Sequence, residues 1–269
     1  MTKLAWMTDP HLNFLDVDSR KEFCMSLNKL KVDALLLSGD VGEAVGIESY
    51  LRTLNENVDL PIYFVLGNHD YYRGSIADVR SRVTRLCAEF KKLTWLPQAG
   101  VIQISPEACL LGHDSWADGR LGNFLESKVM LNDYRLIEEL KGLSSAERLE
   151  KLNALGDEAA EHFRKFLPRV IQKYKQVIIL THVPPFREAC WHEGEISNDD
   201  YLPHFSCKAV GEVLRKAMAG VEAQMLVLCG HSHSSGEAMI LPNLLVKTGK
   251  AVYGSPAVNE IITVPFDRL

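Results

Sequence analysis

The 269-residue sequence predicts a mixed α/β domain whose central strands are covered on both faces. Two observations carry that prediction. Short apolar runs recur along the chain, each ended by glycine or a polar cluster, which is how buried strands read. Between several of them, apolar residues repeat at helical spacing. A third observation bears on domain count. Polar clusters run from Asp9 to His233, so one site would draw on almost the whole chain, and a single domain over residues 1–269 is expected.

In chain order, strands are expected at residues 4–7, 34–37, 62–66, 109–111, 177–180 and 225–229, with later ones at 244–248 and 260–264. A helix over 20–30 places Phe23, Leu27 and Leu30 on one face, and a helix over 79–90 does the same with Val79, Val83, Leu86 and Phe90. Both are read as covering helices. From 126 to 174 the composition turns charged and helical. There Ser144-x-x-Glu147 reads as a capping box that opens a helix, and Pro168, just past Phe166, as its stop. This span is expected to be a helical insertion or cap. Neither internal repeats nor low-complexity tracts occur, which excludes solenoids.

A hydrophobic fraction of 46% beside 24% charged residues fits a globular chain with a substantial core. The net charge of −5 supplies no general basic field for a phosphate backbone, so nucleic acid is not the expected partner. Cys24, Cys87, Cys109, Cys190, Cys207 and Cys229 form no C-x-x-C pair and read as reduced structural thiols. The chain reaches Asp9 without room for a signal-peptide core, and no apolar run has membrane-spanning length. A cytoplasmic protein is expected.

Five polar clusters carry the chemistry: Asp9-Pro10-His11, Gly39-Asp40-Val41-Gly42-Glu43, Gly67-Asn68-His69-Asp70, Thr181-His182 and Gly230-His231-Ser232-His233. Residues two apart at a strand end point the same way, so Asp9 and His11 could bind one ion, and His231 and His233 close another apolar run with the same spacing. Asp40 places a carboxylate just past a buried run. Asn68 adds a neutral oxygen, and His69 an imidazole that titrates near neutrality. Each cluster alone also reads as an ordinary turn. Together they supply the carboxylate, imidazole and amide donors that two divalent ions require.

In these residues the sequence resembles the calcineurin-like metallophosphoesterases. The series D-x-H, G-D-x-x-[DE], G-N-H-[DE], an isolated His and G-H-x-H is met in order over about residues 4–250. The resemblance implies a four-layer sandwich of two mixed β-sheets flanked by helices. It implies that Asp9, His11 and His233 hold one metal, that Asn68, His182 and His231 hold the other, and that Asp40 bridges them. His69 would be the catalytic imidazole and Glu43 the residue that orients it. The implied reaction is phosphoester hydrolysis by metal-activated water, with manganese, iron or zinc as the ions. Two departures narrow the family. Purple acid phosphatases carry tyrosine where Glu43 stands and lack a histidine at the place of His11. Protein Ser/Thr phosphatases carry arginine where Ala44 stands.

Loops rich in aromatic and polar residues at the strand ends offer substrate contacts. The candidates are Asn68, Asp114, Trp116, Arg120 and His192, with Tyr71, Arg73 and Arg187 beside them. A small phosphodiester or phosphomonoester is the expected substrate, no membrane is expected as a partner, and the 126–174 span offers a surface for a homodimer. Alternative readings are a nuclease of the same fold, which needs a basic groove, and a scaffold without catalysis, which would lack ligands.

Overall fold

The computed structural model describes residues 1–267. Its strands are β1 (Thr2–Met7), β2 (Ala34–Ser38), β3 (Ile62–Val65), β4 (Leu93–Trp95), β5 (Ile102–Ser105), β6 (Ala108–His113) and β7 (Gln176–Thr181). They continue with β8 (Trp191–His192), β9 (Glu195–Ile196), β10 (Gln224–Cys229), β11 (Gly236–Leu241), β12 (Leu244–Thr248) and β13 (Glu260–Val264). The helices are α1 (Val17–Leu27), α2 (Ile47–Asn57), α3 (Ile76–Glu89) and α4 (Leu96–Ala99). After these come α5 (Asp133–Leu136), α6 (Ser145–Lys173), α7 (Leu202–Phe205) and α8 (Lys208–Met218).

Two mixed sheets form the centre. One has the order β13-β1-β2-β3-β4, and the other β11-β12-β10-β7-β6-β5. Parallel pairing of β1, β2 and β3, and of β6, β7, β10 and β12, sends the carboxyl ends of the inner strands to one edge of the sandwich.

Strand alternation builds the layers. Leu4 and Trp6 of β1, Ile178 and Leu180 of β7, and Leu226 and Leu228 of β10 fill the space between the sheets. The alternate residues Ala5 and Met7 face outward among α1, α2 and α3 residues, whereas Val177, Ile179, Met225 and Val227 face residues of α6 and α8. Because both faces are buried, inner strands read as unbroken apolar runs, which is why their sequence positions were legible.

Two helices depart from expectation. Asp16 caps α1 by accepting from the Ser19 N–H at 2.8 Å, so that helix starts a turn before residue 20 and ends at Leu27. The Ser144–Glu147 capping box forms as expected, but Pro168 does not stop α6, which runs 29 residues to Lys173. An interior proline costs about 3 kcal/mol or more. Leu167 and Val170 on either side of it are buried against the second sheet, and burying each side chain returns roughly 1.5–3 kcal/mol. Packing therefore carries the helix through the proline. α6 is the crossover between β6 and β7, and the stretch ahead of it, with α5, runs toward the carboxyl-end edge. No helix of the described residues is long and apolar enough to cross a membrane.

Candidate metal centre

The site lies where the inner strands end. Past β1, β2 and β10 the backbone turns sharply, and Asp9, His11, Asp40, His231 and His233 all adopt left-handed φ, between 42° and 72°. Such conformations cost on the order of 1–3 kcal/mol each and persist only where surrounding structure imposes them. Here the loops brace one another. Asp9 N–H donates to Gly39 O at 3.1 Å, His11 N–H to Asp40 O at 3.0 Å, and Gly230 N–H to His182 O at 2.8 Å. The buried Asp70 carboxylate accepts from Gly42 N–H and Gly67 N–H, both at 2.8 Å, and ties the second loop to the third. Glycine is required at Gly67 because a Cβ there would overlap the Asp40 carboxylate, and at Gly230 because it would overlap Asp9.

Two donor groups result, with Asp40 between them. In the first, ligand atoms of Asp9, His11, Asp40 and His233 lie within 4.8 Å of one another. His11 Nε2 is 3.1 Å from His233 Nε2 and 3.7 Å from Asp40 Oδ2, and His233 Nε2 is 3.3 Å from Asp9 Oδ1. In the second, Asn68 Oδ1 is 2.9 Å from both His182 Nε2 and His231 Nδ1. Those two nitrogens are 3.2 Å apart, and Asp40 Oδ1 is 3.5 Å from His182 Nε2.

Proton accounting shows that this second group fits a metal. His182 Nδ1 faces Ser38 O at 2.9 Å, and His231 Nε2 faces His204 O at 3.1 Å. Carbonyls only accept, so each imidazole carries its hydrogen there and leaves the other nitrogen bare. Asn68 Nδ2 donates to Asp133 Oδ1 at 2.8 Å, which turns Asn68 Oδ1 inward. Three lone pairs thus converge with no hydrogen among them. A cation at their centre turns that repulsion into coordination, and backbone carbonyls behind ligating histidines are the usual supports of such sites.

The electrostatics agree. Burial lowers His11 to about 3 and His231 to about 4, which keeps both imidazoles neutral and able to ligate. Burial, then the Asp9 and Asp70 carboxyls, push Asp40 well above the usual carboxylate range. Burial also opposes ionisation of Asp9, but its hydrogen bond with His233 and the nearby His182 and His11 hold it well below that range. Paired carboxylates, stripped of water and pulled apart in this way, suit a divalent ion that neutralises both.

The sequence matches the calcineurin-like phosphoesterase family over residues 2–235. The chain belongs to that family. It is accordingly a hydrolase of phosphoester bonds with divalent metal cofactors. No curated protein matches the sequence. Among solved structures it is similar to a phosphopantetheinyl hydrolase from Mycobacterium tuberculosis, at 15% identity and a TM-score of 0.68, covering 94% of this chain and 90% of that one. It is also similar to a dimetal phosphatase from Danio rerio, at 15% identity and a TM-score of 0.60, covering 95% and 89%. A protein from Thermus thermophilus gives 14% identity and a TM-score of 0.56, covering 93% and 89%. At these identities the likeness is one of fold.

In the phosphoesterase, a cleft of about 280 Å³ opens over the second donor group, lined by Asn68, His69, Tyr72, Asp133, His192 and Tyr253 among others. His69 lies over the centre. Its ring centroid is 4.7 Å from that of His11, and it stacks on Tyr72 at 4.2 Å. Its backbone N–H donates to Asp40 Oδ1 at 2.9 Å. Burial, then the neighbouring His11, holds the His69 imidazole far below its ordinary value, so it is neutral. Glu43 does not meet it. That carboxylate is paired with Arg73, and the His69 side chain makes no hydrogen bond among the described residues.

Of the substrate-contact candidates, the fold brings His192 to the cleft, where it packs 5.0 Å from both Tyr201 and Phe205. The others bond to or pack on protein groups. Asn68 reaches the cleft, but its amide hydrogens go to Asp133 and, at 3.3 Å, to the Tyr72 hydroxyl. Asp114 is buried and accepts from Leu66 N–H at 2.7 Å, the Trp95 indole at 2.9 Å and the Tyr71 hydroxyl at 3.0 Å. Its strand-end position resembled that of the ligands, but the carboxylate turns into the first sheet. Trp116 is core, packed on Tyr71. Arg120 is held by Asp118, Asn153 and Asp157 in a cavity that contains none of the ligand residues. Arg187 forms an exposed pair with Asp199.

Sequence reasoning passed over Tyr72, Asp133 and Tyr253. Tyr253 follows the last strand of the second sheet, half-exposed, with its ring 4.6 Å from that of His11 and 4.9 Å from that of His233. No local pattern marked it. Tyr72, three residues past His69, did sit beside a motif.

Proposed function

We propose that this phosphoesterase hydrolyses small phosphodiesters or phosphomonoesters at a centre of two divalent ions. Asp9, His11, Asp40 and His233 would hold one ion and Asp40, Asn68, His182 and His231 the other. The observation that supports this best is the convergence of the His182, His231 and Asn68 lone pairs beside a carboxylate whose second oxygen faces His11. When bound, such ions lower the pKa of water and neutralise charge on a phosphoryl group. The mixed nitrogen and oxygen donors suit manganese, iron or zinc.

The protein's own groups would do the rest. A phosphoryl group in the cleft sits under His69, whose neutral imidazole offers an N–H to the leaving or a non-bridging oxygen. The incoming negative charge favours protonation of that ring, which equips it to donate to the departing oxygen. Stacking on Tyr72 keeps the ring's plane fixed, a part that Glu43, paired with Arg73, does not play here. Tyr253 walls the side of the first donor group, and His192 the side opposite. The small cleft favours a compact phosphoester. The stretch ahead of α6, within residues 126–144, would form its rim as part of a single domain.

Metal-depleted protein, reloaded with manganese, should hydrolyse bis(p-nitrophenyl) phosphate or p-nitrophenyl phosphate. Undiminished turnover in both Asp40→Ala and His69→Ala would end this reading.

A further inference from the structure

Asp133 reaches the metal centre from α5, far in sequence from every motif residue, and is almost fully buried there. One of its oxygens accepts two hydrogen bonds, from Asn68 Nδ2 at 2.8 Å and from the Tyr72 hydroxyl at 2.7 Å. The amide of an asparagine can face a neighbour with either its oxygen or its nitrogen, and a carboxylate can accept only the nitrogen. Asp133 therefore decides which way Asn68 points. With the amide nitrogen committed to Asp133 and to Tyr72, Asn68 Oδ1 is left 2.9 Å from the bare nitrogens of His182 and His231. Turned over, the same side chain would aim hydrogens at that position and oppose a cation.

We propose that Asp133 is a positioning residue that holds Asn68 as a ligand of the second ion. This inference rests on the dinuclear reading above. It gives the stretch before α6 a specific role, since the motifs supply the Asn68 donor and that stretch aims it. Groups behind metal ligands that fix their orientation typically change affinity by about 10–100-fold when removed.

The test uses the full-length protein, stripped of metal and titrated with Mn²⁺, with bound manganese read by elemental analysis and by electron paramagnetic resonance. Wild type is expected to take two ions per chain and give an exchange-coupled spectrum. Asp133→Ala is expected to keep the first ion, bind the second about 10–100-fold more weakly, and give the spectrum of isolated Mn²⁺ at concentrations where wild type is coupled. Asp133→Asn can offer the Asn68 amide either an acceptor or a donor, and should weaken the second ion by less than the alanine variant does. The double variant Asn68→Ala, Asp133→Ala should bind the second ion no worse than Asn68→Ala alone, because Asp133 acts through that amide.

Wild-type second-ion affinity in Asp133→Ala would overturn the proposal, as would full additivity in the double variant. Should the alanine variant not fold, wild-type second-ion affinity in folded Asp133→Leu, which has nearly the same shape and no acceptor, would overturn it equally. Wild type that takes up no pair of ions would instead sink the dinuclear reading itself, so the two failures are distinguishable.

Discussion

Among the described residues two clusters of histidine stand apart, and lone pairs converge on one point in the first of them alone. At the carboxyl ends of the inner strands, the Ser38 and His204 carbonyls take the hydrogens of His182 and His231, so their bare nitrogens meet 3.2 Å apart. The other cluster lines a cavity of about 560 Å³ between α3 and α6, with His113, His162, Glu158 and Arg80. There His113 Nδ1 accepts from Ser115 N–H at 3.1 Å, so its hydrogen sits on Nε2 and faces Glu158 at 3.8 Å. The two imidazole rings stand 5.0 Å apart, and His162 Nε2 is buried without a partner. Imidazoles beside a carboxylate are present in both places. What differs is the set of groups behind the rings, which aims lone pairs at one point in the first case and not in the second.

Replacing Asp40, the carboxylate common to both donor groups, should break the difference most completely. Asp40→Ala is expected to lose at least about a thousand-fold in kcat/KM, several kcal/mol of the stabilisation that a metal centre supplies. Elemental analysis of the same variant sharpens the comparison. If the His113 cluster has no affinity for metal, tightly bound ions should fall toward zero, and a full equivalent retained would show that the second cluster binds metal after all.

His69→Ala separates metal binding from proton handling within the first cluster. Turnover should drop by about 10²–10⁴-fold, the range typical of a positioned acid or base, with metal content unchanged. Glu43→Gln is the contrast. Its partner Arg73 is more than half exposed, and a pair of that kind is worth about 1 kcal/mol at most, so less than about fivefold should be lost. A loss in Glu43→Gln as large as that in His69→Ala would restore the orienting role that the sequence resemblance implied.

Gly67→Ala probes the packing under the centre. The added methyl would meet the Asp40 carboxylate and backbone and the His182 ring. Overpacking of this kind costs about 1–3 kcal/mol, so chemical denaturation of metal-free protein should register a loss of that size. The matched change at Gly142, where a Cβ has open space around it, still forces alanine into left-handed φ, but it should leave metal affinity intact.

How much of this was readable in advance follows from where each interaction is encoded. Inner strands were legible to within a residue or two because a strand buried on both faces is a continuous apolar run. Edge strands such as β4 and β5, three and four residues long, lack that signal. The proposed ligands were legible as candidates because each sits in a short cluster at a strand end. Asp114 imitates them in sequence, following β6 just as Asp40 follows β2, but its partners Leu66, Tyr71 and Trp95 come from three other segments, and no local pattern announces them. Asp133 is the converse, a residue with no motif around it that the fold delivers to Asn68. Local sequence thus wrote the proposed metal ligands, whereas tertiary placement wrote what orients them.

The smallest expected effect belongs to the second histidine cluster and concerns acid stability. Burial, then Lys165, lowers His162 to about 4, and burial holds His113 well below its ordinary value. Unfolded, each imidazole takes up its proton near pH 6.5. Between pH 6.5 and about 4 the unfolded chain therefore binds more protons than the folded one, and stability falls as the pH falls through that window. Above pH 6.5 both states are neutral and the groups contribute no slope. His162→Phe should flatten part of this acid-side slope in thermal melts of metal-free protein between pH 7 and pH 5, without changing manganese uptake at neutral pH. An unchanged slope would mean that His162 gains a proton in the folded state as readily as in the unfolded one, and loss of manganese would make the two clusters one system.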